Sequence, residues 1–248
     1  MELGTKFLFN LLLKYVKPDL VCDVGSMDGS DAIRFAKMLP LSKVILFEAN
    51  KNNYELIINN DVIQQNSIEA FNEIVSNIDG TKVFHKVKAS ETAGVDQHLQ
   101  GMSSTLSRKE DSRISDVVEL QSVRLDTKLK MLGNFECIVL WIDVEGATYE
   151  VIESLSGIKE KVKLIHAEVE TKTIWQDQKL KEDVEQLAAD MGYVVLAHGR
   201  NEIQHDIILM EKMFLEQSSF MVRFLVWVAF IRTLRLKRVP KYIKSIFN

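Results

Sequence analysis

Leu20-Val21-Cys22-Asp23-Val24-Gly25-Ser26-Met27-Asp28-Gly29-Ser30 is the stretch that decides the fold. An apolar run breaks into a turn holding two glycines four apart, and a helical pattern over residues 31–39 follows at once. Glycine belongs where a backbone must turn sharply and let another group come close, and the amides of the helix start beyond it are free to meet a ligand. Strand, loop and helix in this order form the first unit of a doubly wound α/β domain. The second unit starts at Lys43, where Val44-Ile45-Leu46-Phe47 reads as a buried strand ending in Glu48. An acid there can accept both hydroxyls of a ribose.

Spacing narrows the nucleoside. A dinucleotide site uses G-x-G-x-x-G to seat a pyrophosphate, whereas this loop has only Gly25 and Gly29, with anionic Asp28 between them. A negative side chain suits a cation better than a phosphate. S-adenosylmethionine, with a sulfonium, an ammonium and one carboxylate, fits a cradle of Asp23, Gly25, Ser26, Asp28 and Gly29, with Glu48 and Ala49 from the second loop. Taken alone, the loop also reads as a tight βα turn without a ligand.

A chain of 248 residues with 46% hydrophobic content can bury a full core and fits one elaborated domain, expected over residues 1–217. Its first 14 residues lack a small-residue cleavage site and carry the Leu/Phe periodicity of a packing helix, so a helix within 1–17 and a cytoplasmic location are expected. Cys22 and Cys137 make neither a disulfide framework nor a metal site. With Asp23 level with Asp143 on adjacent strands the two thiols sit too far apart to bond at ~3.3 Å per residue, and both are expected in the core.

The net charge of −4 conceals an asymmetry. Residues 218–248 hold Arg223, Arg232, Arg235, Lys237, Arg238, Lys241 and Lys244 and no acid, so this segment is +7 and the rest is −11. Residues 220–231 are apolar except for Arg223. As a helix they would be about 18 Å long at ~1.5 Å per residue, short of the ~30 Å hydrocarbon core of a membrane. An apolar helix with Trp227 as anchor and a basic run behind it reads as an interfacial segment on an anionic membrane, or else as a helix docked on the domain or on a second subunit of a homo-oligomer. The acidic body argues against nucleic acid as partner.

More elements follow at βα spacing. Residues 52–60 and 67–78 read as helices and 81–89 as the third strand. Residues 117–125 read as a strand, 126–132 as a helix capped by Asp126, and 136–142 as a buried strand running into Asp143-Val144-Glu145-Gly146. The polar stretch 94–112, which contains Ser103, Ser104 and Thr105, is long for a structureless loop inside a domain, a length associated with function. Residues 162–169 deliver Glu168 to the rim, with His166 two positions earlier on the same face. With 162–169 as the fifth strand, 117–125 being outside the count, a helix over 179–191 and strands over 193–197 and 206–211, the last two antiparallel, complete a seven-stranded, mostly parallel Rossmann-like sheet with helices on both faces. Open α/β sheets bind ligands beyond the carboxyl ends of their strands, so Gly25, Glu48, Ser90 and Asp143 are expected on one rim.

These residues carry a family resemblance. Asp23-Val24-Gly25 with Gly29, Phe47-Glu48-Ala49-Asn50, the loop 101–106 and Trp141-Ile142-Asp143-Val144-Glu145-Gly146-Ala147 followed by Glu150-Val151 resemble the FkbM family of S-adenosylmethionine-dependent methyltransferases over about residues 21–170. Family members commonly place a lysine just before the Ile-Asp-Val-Glu-Gly segment, where this chain has Trp141. The resemblance implies O-methylation of a hydroxyl on a sugar, glycan or related acceptor. It also implies that Asp23, Gly25 and Gly29 line the methionine end of the cofactor, that Glu48 holds the ribose and that Ala89 with Ser90 borders the adenine. Asp143 and Glu145 would then lie beside the reacting methyl, with Glu168 across from them.

Methyl transfer from a sulfonium is an in-line displacement that needs an aligned acceptor, a sequestered site and a base for the hydroxyl proton. Asp143 is the leading candidate base, with Glu168 and His166 as alternatives. His166 also reads as a buried strand histidine, and Glu145 as a helix cap. Asp143, Glu145 and Glu168 could together hold a divalent ion, although no spacing requires one and no metal is expected. Ser103, Ser104 and Thr105 offer hydroxyls from a lid suited to a sugar, or lie in a plain surface linker. A nicotinamide-dependent oxidoreductase on the same fold, and a noncatalytic membrane-associated scaffold with a vestigial pocket, are the competing readings. The acceptor expected here is a glycan or lipid-linked glycan met at an anionic membrane surface.

Overall fold

The computed structural model describes residues 4–87, 103–107, 114–199, 203–224 and 226. In chain order the elements are α1 (Thr5–Val16), β1 (Leu20–Val24), α2 (Ser30–Met38), β2 (Lys43–Phe47), α3 (Lys51–Ile58), α4 (Asp61–Gln65), β3 (Glu69–Phe71), β4 (Ile74–Val75), β5 (Gly80–Val87) and β6 (Ile114–Val123). They continue with α5 (Leu125–Leu132), β7 (Ile138–Ile142), α6 (Thr148–Glu153), β8 (Val162–Glu170), α7 (Lys181–Asp190), β9 (Tyr193–His198), β10 (Gln204–Glu211) and α8 (Lys212–Gln217).

Seven strands form one sheet in the order β3-β2-β1-β7-β8-β10-β9. All neighbours are parallel except β10, which runs antiparallel to both β8 and β9. Every residue of β1 and of β7 is buried, the signature of strands covered on both faces. Period-2 alternation divides their side chains between two cores. Val21, Leu46, Val139, Trp141 and Leu164 pack with α1 and α2, while Cys22, Ile45, Leu140, Ile142 and Ile165 pack with α5, α6 and α7. Helix α1 buries Leu8, Phe9, Leu12, Leu13 and Val16, spacings that put them on one face. Phe9 meets Trp141 edge-on at 5.4 Å.

The sheet has the expected number of strands but not the expected members. Residues 67–78 are not helical: they form β3 and β4. Their apolar spacing mimics a helix because two short strands are separated by Asn72 and Glu73. β3 takes the third position by pairing Ile45–Phe47 with Glu69–Phe71, which stacks Phe71 on Phe47 at 5.2 Å. Strand β5 exists where expected, yet it and β6 lie in a second, three-stranded sheet ordered β4-β6-β5, with β5 antiparallel to β6. Long-range pairing, which local propensity does not encode, made that choice.

Asp126 does not cap α5: the helix begins one residue earlier, and the Asp126 carboxylate instead accepts from Arg124 Nε (2.9 Å), Arg124 Nη2 (2.7 Å) and Gly157 N (2.9 Å). Asp23 is level with Trp141 rather than Asp143. Both cysteines are nevertheless free, Cys22 fully buried and Cys137 only partly. Beyond α8 the chain turns helical again from Phe220, and Val222 and Val226 join the core on the α1 side, while Phe220, Met221 and Phe224 stay exposed. Among the described residues no helix is long and apolar enough to cross a membrane.

Candidate active site

The site begins where β1, β2 and β7 end side by side. Gly25 has φ +82°, and a Cβ there would lie 2.0 Å from the Asp143 carbonyl oxygen, so the two loops meet backbone to backbone and only glycine fits. The amides of Gly25 and Ser26 both donate to the Phe47 carbonyl, at 3.0 and 3.1 Å. Glu48 closes the arrangement: its Oε2 accepts from Met27 N at 2.8 Å and its Oε1 from Asn50 N at 2.7 Å. The Glu48 carboxyl is buried, and burial pushes it up to about 7 against the pull of those amides. Each carboxylate oxygen retains a further lone pair.

Other residues of the glycine loop support it from behind. Asp23 is buried, accepts from Ser26 Oγ at 2.5 Å and is raised to about 7, chiefly by burial. Asp28 is exposed and accepts from Ser30 N at 2.9 Å. Gly29, φ +79°, packs against the tip of Ile63.

Gly25, Glu48, Ala49, Ser103, Ser104, Thr105, Asp143 and Glu145 line one cleft of about 590 Å³, measured out to its open mouth, a size suited to a small-molecule site. Asp23, Ser26, Asp28, Gly29, His166 and Glu168 do not line it. Ser90 lies outside the described residues. The sequence reading missed Met27, Asn53, Glu73, Ile74, Val75 and Phe84, which supply the cleft's apolar wall and two more polar groups. Ile74, Val75 and Phe84 reach it through the second sheet, whose formation no local signal announces.

Residues 103–107 are held over this cleft. Ser104 pairs with His85 through two backbone hydrogen bonds of 2.8 and 3.2 Å, and its Oγ donates to the Glu145 carbonyl at 2.5 Å. Leu106 N donates back to Ser104 Oγ at 3.0 Å, and Gln176 N donates to the Ser107 carbonyl at 2.8 Å. Thr105 Oγ1 finds no hydrogen-bond partner among the described residues.

Carboxylates crowd the far side. Asp143 has exposed surface inside the concave cleft; withdrawal from bulk water, then the charges of Asp206 and Asp31, push it up to about 6, while Lys6 pulls it down. Glu168 is raised to about 9 by burial and then by Asp143, Glu145, Glu170 and Asp206. Gln204 Nε2 donates to both Glu145 Oε2 (3.2 Å) and Glu168 Oε1 (3.1 Å). Glu170, another residue missed in the sequence, accepts from Gly146 N at 3.0 Å, so it and not Glu145 steadies the start of the loop before α6; α6 itself has no side-chain cap. The alternation Glu168-x-Glu170 on one strand was the available signal.

Glu145, Glu168 and Glu170 present oxygens within 4.8 Å of one another. Acidic groups take up such spacing without an ion, and no metal is assigned. His166 is buried, stacked on Trp141 at 3.7 Å and 7° between planes, and lowered to about 4 by burial, hence neutral at physiological pH.

The residues present fit S-adenosylmethionine. A cradle that a single Cβ at position 25 would fill lies beside acids able to face a sulfonium and an ammonium, and Glu48 sits at the end of the second strand. A family model described as "Methyltransferase FkbM domain" matches residues 23–195. The chain is 24% identical over 166 residues to the 2-O-methyltransferase NoeI of Sinorhizobium fredii (strain NBRC 101917 / NGR234), covering 65% of this chain and 68% of that protein. Among solved structures it resembles the N-terminal domain of EvdMO1 with SAH bound, with a TM-score of 0.44, 10% identity and coverage of 81% of this chain and 77% of that one. It also resembles precorrin-6y C5,15-methyltransferase from Geobacter metallireducens GS-15, with a TM-score of 0.42, 11% identity and coverage of 83% and 89%.

Proposed function

The chain belongs to the FkbM methyltransferase family and uses S-adenosylmethionine as its methyl source, and from that premise we propose that it methylates a hydroxyl group of a sugar or glycan. One observation carries this reading: the cleft bordered by Gly25 and Glu48 also contains Asp143 and the Ser103–Thr105 segment, so cofactor loop, candidate base and hydroxyl-bearing lid face the same space.

When bound, the cofactor supplies an electrophilic methyl group on a sulfonium. The chain supplies the rest. Glu48 accepts the ribose hydroxyls with the lone pairs its amide partners leave over, and Gly25 lets the loop backbone approach. Asp143, at about 6, is ionised at neutral pH and takes the acceptor proton. Glu168, at about 9, keeps its proton behind the cleft wall, where it accepts from Gln204, and neutral His166 packs against Trp141. Ser103 and Thr105 orient acceptor hydroxyls and exclude water. We assign the base to Asp143 in preference to Glu168 or His166 on this separation of charge states.

The acceptor in this reading is a glycan or lipid-linked glycan met at an anionic membrane. Support comes from the exposed Phe220, Met221 and Phe224, which belong to a segment, 218–248, bearing seven basic residues and no acid.

Calorimetric titration with S-adenosylhomocysteine and, separately, NADH tests the cofactor site. Transfer of labelled methyl to a panel of neutral oligosaccharides, uronic acids and glycolipids tests the acceptor. An alkali-stable methyl ether on a sugar is the expected product; an alkali-labile ester, or label only on protein or nucleic acid, would overturn the assignment. Sedimentation with phosphatidylglycerol vesicles, compared with phosphatidylcholine vesicles and with Phe220→Ala/Phe224→Ala, tests the membrane part.

A further inference from the structure

We propose that Asn53 reads the ribose together with Glu48: its side-chain amide donates to the hydroxyl oxygen whose proton Glu48 accepts, so that the pair selects a nucleoside with that hydroxyl over a deoxy one. This rests on the reading of Glu48 as the ribose acid, which it extends from a lone acceptor to a donor–acceptor pair.

Asn53 and Ile57 are the buried residues of α3, four apart on one face. Ile57 packs in the core on the α1 side. Asn53, only 3% exposed, lines the cleft with Glu48 instead. Its Nδ2 has no hydrogen-bond partner among the described residues. A buried donor left unpaired costs the full desolvation of that group, and the large majority of such groups in folded proteins find a partner. This donor borders a space built for a ligand, where a bound oxygen supplies the missing acceptor.

A part in starting the helix does not account for it. Asn53 is the third residue of α3, the position from which a side chain can reach back to the N–H of the capping residue. That N–H, of Asn50, already donates to Glu48 Oε1 at 2.7 Å. The Asn50 side chain accepts from Asn52 N at 3.0 Å, and the Asn50 carbonyl accepts from Tyr54 N at 2.9 Å. The first turn is complete without the Asn53 amide.

Glu48 fixes the direction in which that amide faces. An ionised carboxylate only accepts, so the neighbouring amide turns its NH2 towards it. Asn53 thereby adds its pull to those of Asn50 N and Met27 N on the Glu48 carboxyl, without closing an aligned hydrogen bond to it. An acceptor and a donor thus stand side by side on the cleft wall. A hydroxyl group both donates and accepts, so Glu48 and Asn53 together satisfy one completely, whereas Glu48 alone leaves its oxygen unused. Such a site rejects an analogue without the hydroxyl, because its own buried groups are then left unpaired.

The test is calorimetric titration of the full chain with S-adenosylhomocysteine and with its 2′-deoxy and 3′-deoxy analogues, using wild type, Asn53→Leu and Asn53→Ala. Both substitutions should weaken S-adenosylhomocysteine about tenfold, while for the analogue lacking the hydroxyl that Asn53 reads, wild type and variants should agree within about twofold. Unchanged affinity for S-adenosylhomocysteine in the variants, or an equal loss for all three ligands, overturns the proposal. Thermal unfolding of the ligand-free chain addresses a structural role. Asn53→Leu removes a donor that has no partner, so its melting temperature should equal or exceed that of wild type; a marked fall would reveal a structural partner and overturn the proposal as well. Glu48→Ala separates the two ideas. Weaker binding in Glu48→Ala with wild-type affinity in both Asn53 variants sinks the role of Asn53 alone. Wild-type affinity in Glu48→Ala sinks the ribose reading and the pair with it, as does a wild type that binds no S-adenosylhomocysteine.

Discussion

Gly25→Ala should damage this protein more than any other conservative change in the glycine loop, and Gly29→Ala is its internal control. Both glycines have nearly the same left-handed backbone, φ +82° and +79°, which glycine adopts without strain. An alanine there costs roughly 1–2 kcal/mol for the left-handed conformation alone. Their surroundings differ. At Gly29 the added methyl first meets Ile63 Cδ1 at 3.0 Å, the flexible end of a side chain that can swing aside. At Gly25 it meets the Asp143 carbonyl oxygen at 2.0 Å and carbon at 2.8 Å, and that backbone is fixed by Asp143 N donating to Val24 O at 2.9 Å. Overpacking against groups that cannot move adds roughly 1–3 kcal/mol, giving about 2–5 kcal/mol for Gly25→Ala against about 1–2 for Gly29→Ala. The displaced loop also carries Asp143 and Val144 away from the cleft. Urea unfolding and calorimetry with S-adenosylhomocysteine would read both effects: more than tenfold weaker binding is expected for Gly25→Ala and within about threefold of wild type for Gly29→Ala. Equal destabilisation of the two variants, or wild-type affinity in Gly25→Ala, would refute the claim that close contact between the loops shapes the pocket.

Further tests concern single groups. Glu48→Ala should weaken S-adenosylhomocysteine binding by roughly 1–3 kcal/mol, through lost ribose contacts and a slack Met27–Asn50 loop, and unchanged affinity would remove Glu48 from the site. Asp143→Asn should lower turnover by about 10²-fold or more with cofactor affinity preserved, as expected for loss of a general base; a mild loss would move the base elsewhere. Ser104→Ala removes the hydroxyl shared by the Glu145 carbonyl and the Leu106 amide, so hydrogen exchange at Leu106 should quicken by about tenfold, a loss of roughly 1–2 kcal/mol; unchanged protection would show the lid held by other contacts. Asp23, Glu48 and Glu170 are each raised to about 7, so the folded chain keeps protons that the unfolded chain has released. Their contribution to stability is full below the ordinary carboxylate range and is lost as pH rises towards 7. The melting temperature should accordingly be higher at pH 5.5 than at pH 8, and the opposite order would contradict the burial of these acids.

Much of the site was legible because its residues sit in contiguous patterns. Gly25 after β1, Glu48 after β2 and Asp143 after β7 each follow an apolar run, and parallel strands put such positions on one rim. The Ser103–Thr105 segment was legible as a long polar loop, though not what holds it: the bridge to His85 and the bond to Glu145 join residues 19 and 41 positions away. The reading failed at 67–78, where a strand of three residues is too short for periodicity to register.

The sequence by itself determined the alternation of strands and helices, the glycine-bearing first loop and the acids that end the strands, because each depends on neighbours within a few residues. Tertiary structure alone decided that β3 and not β5 completes the parallel sheet, since pairing energy is collected only between distant segments. It also decided that Glu145, Glu168, Glu170 and Gln204 meet. Charge states follow from that convergence: the same carboxyl group is raised to about 6 at Asp143 and to about 9 at Glu168 because burial and neighbouring charge act through space and not along the chain.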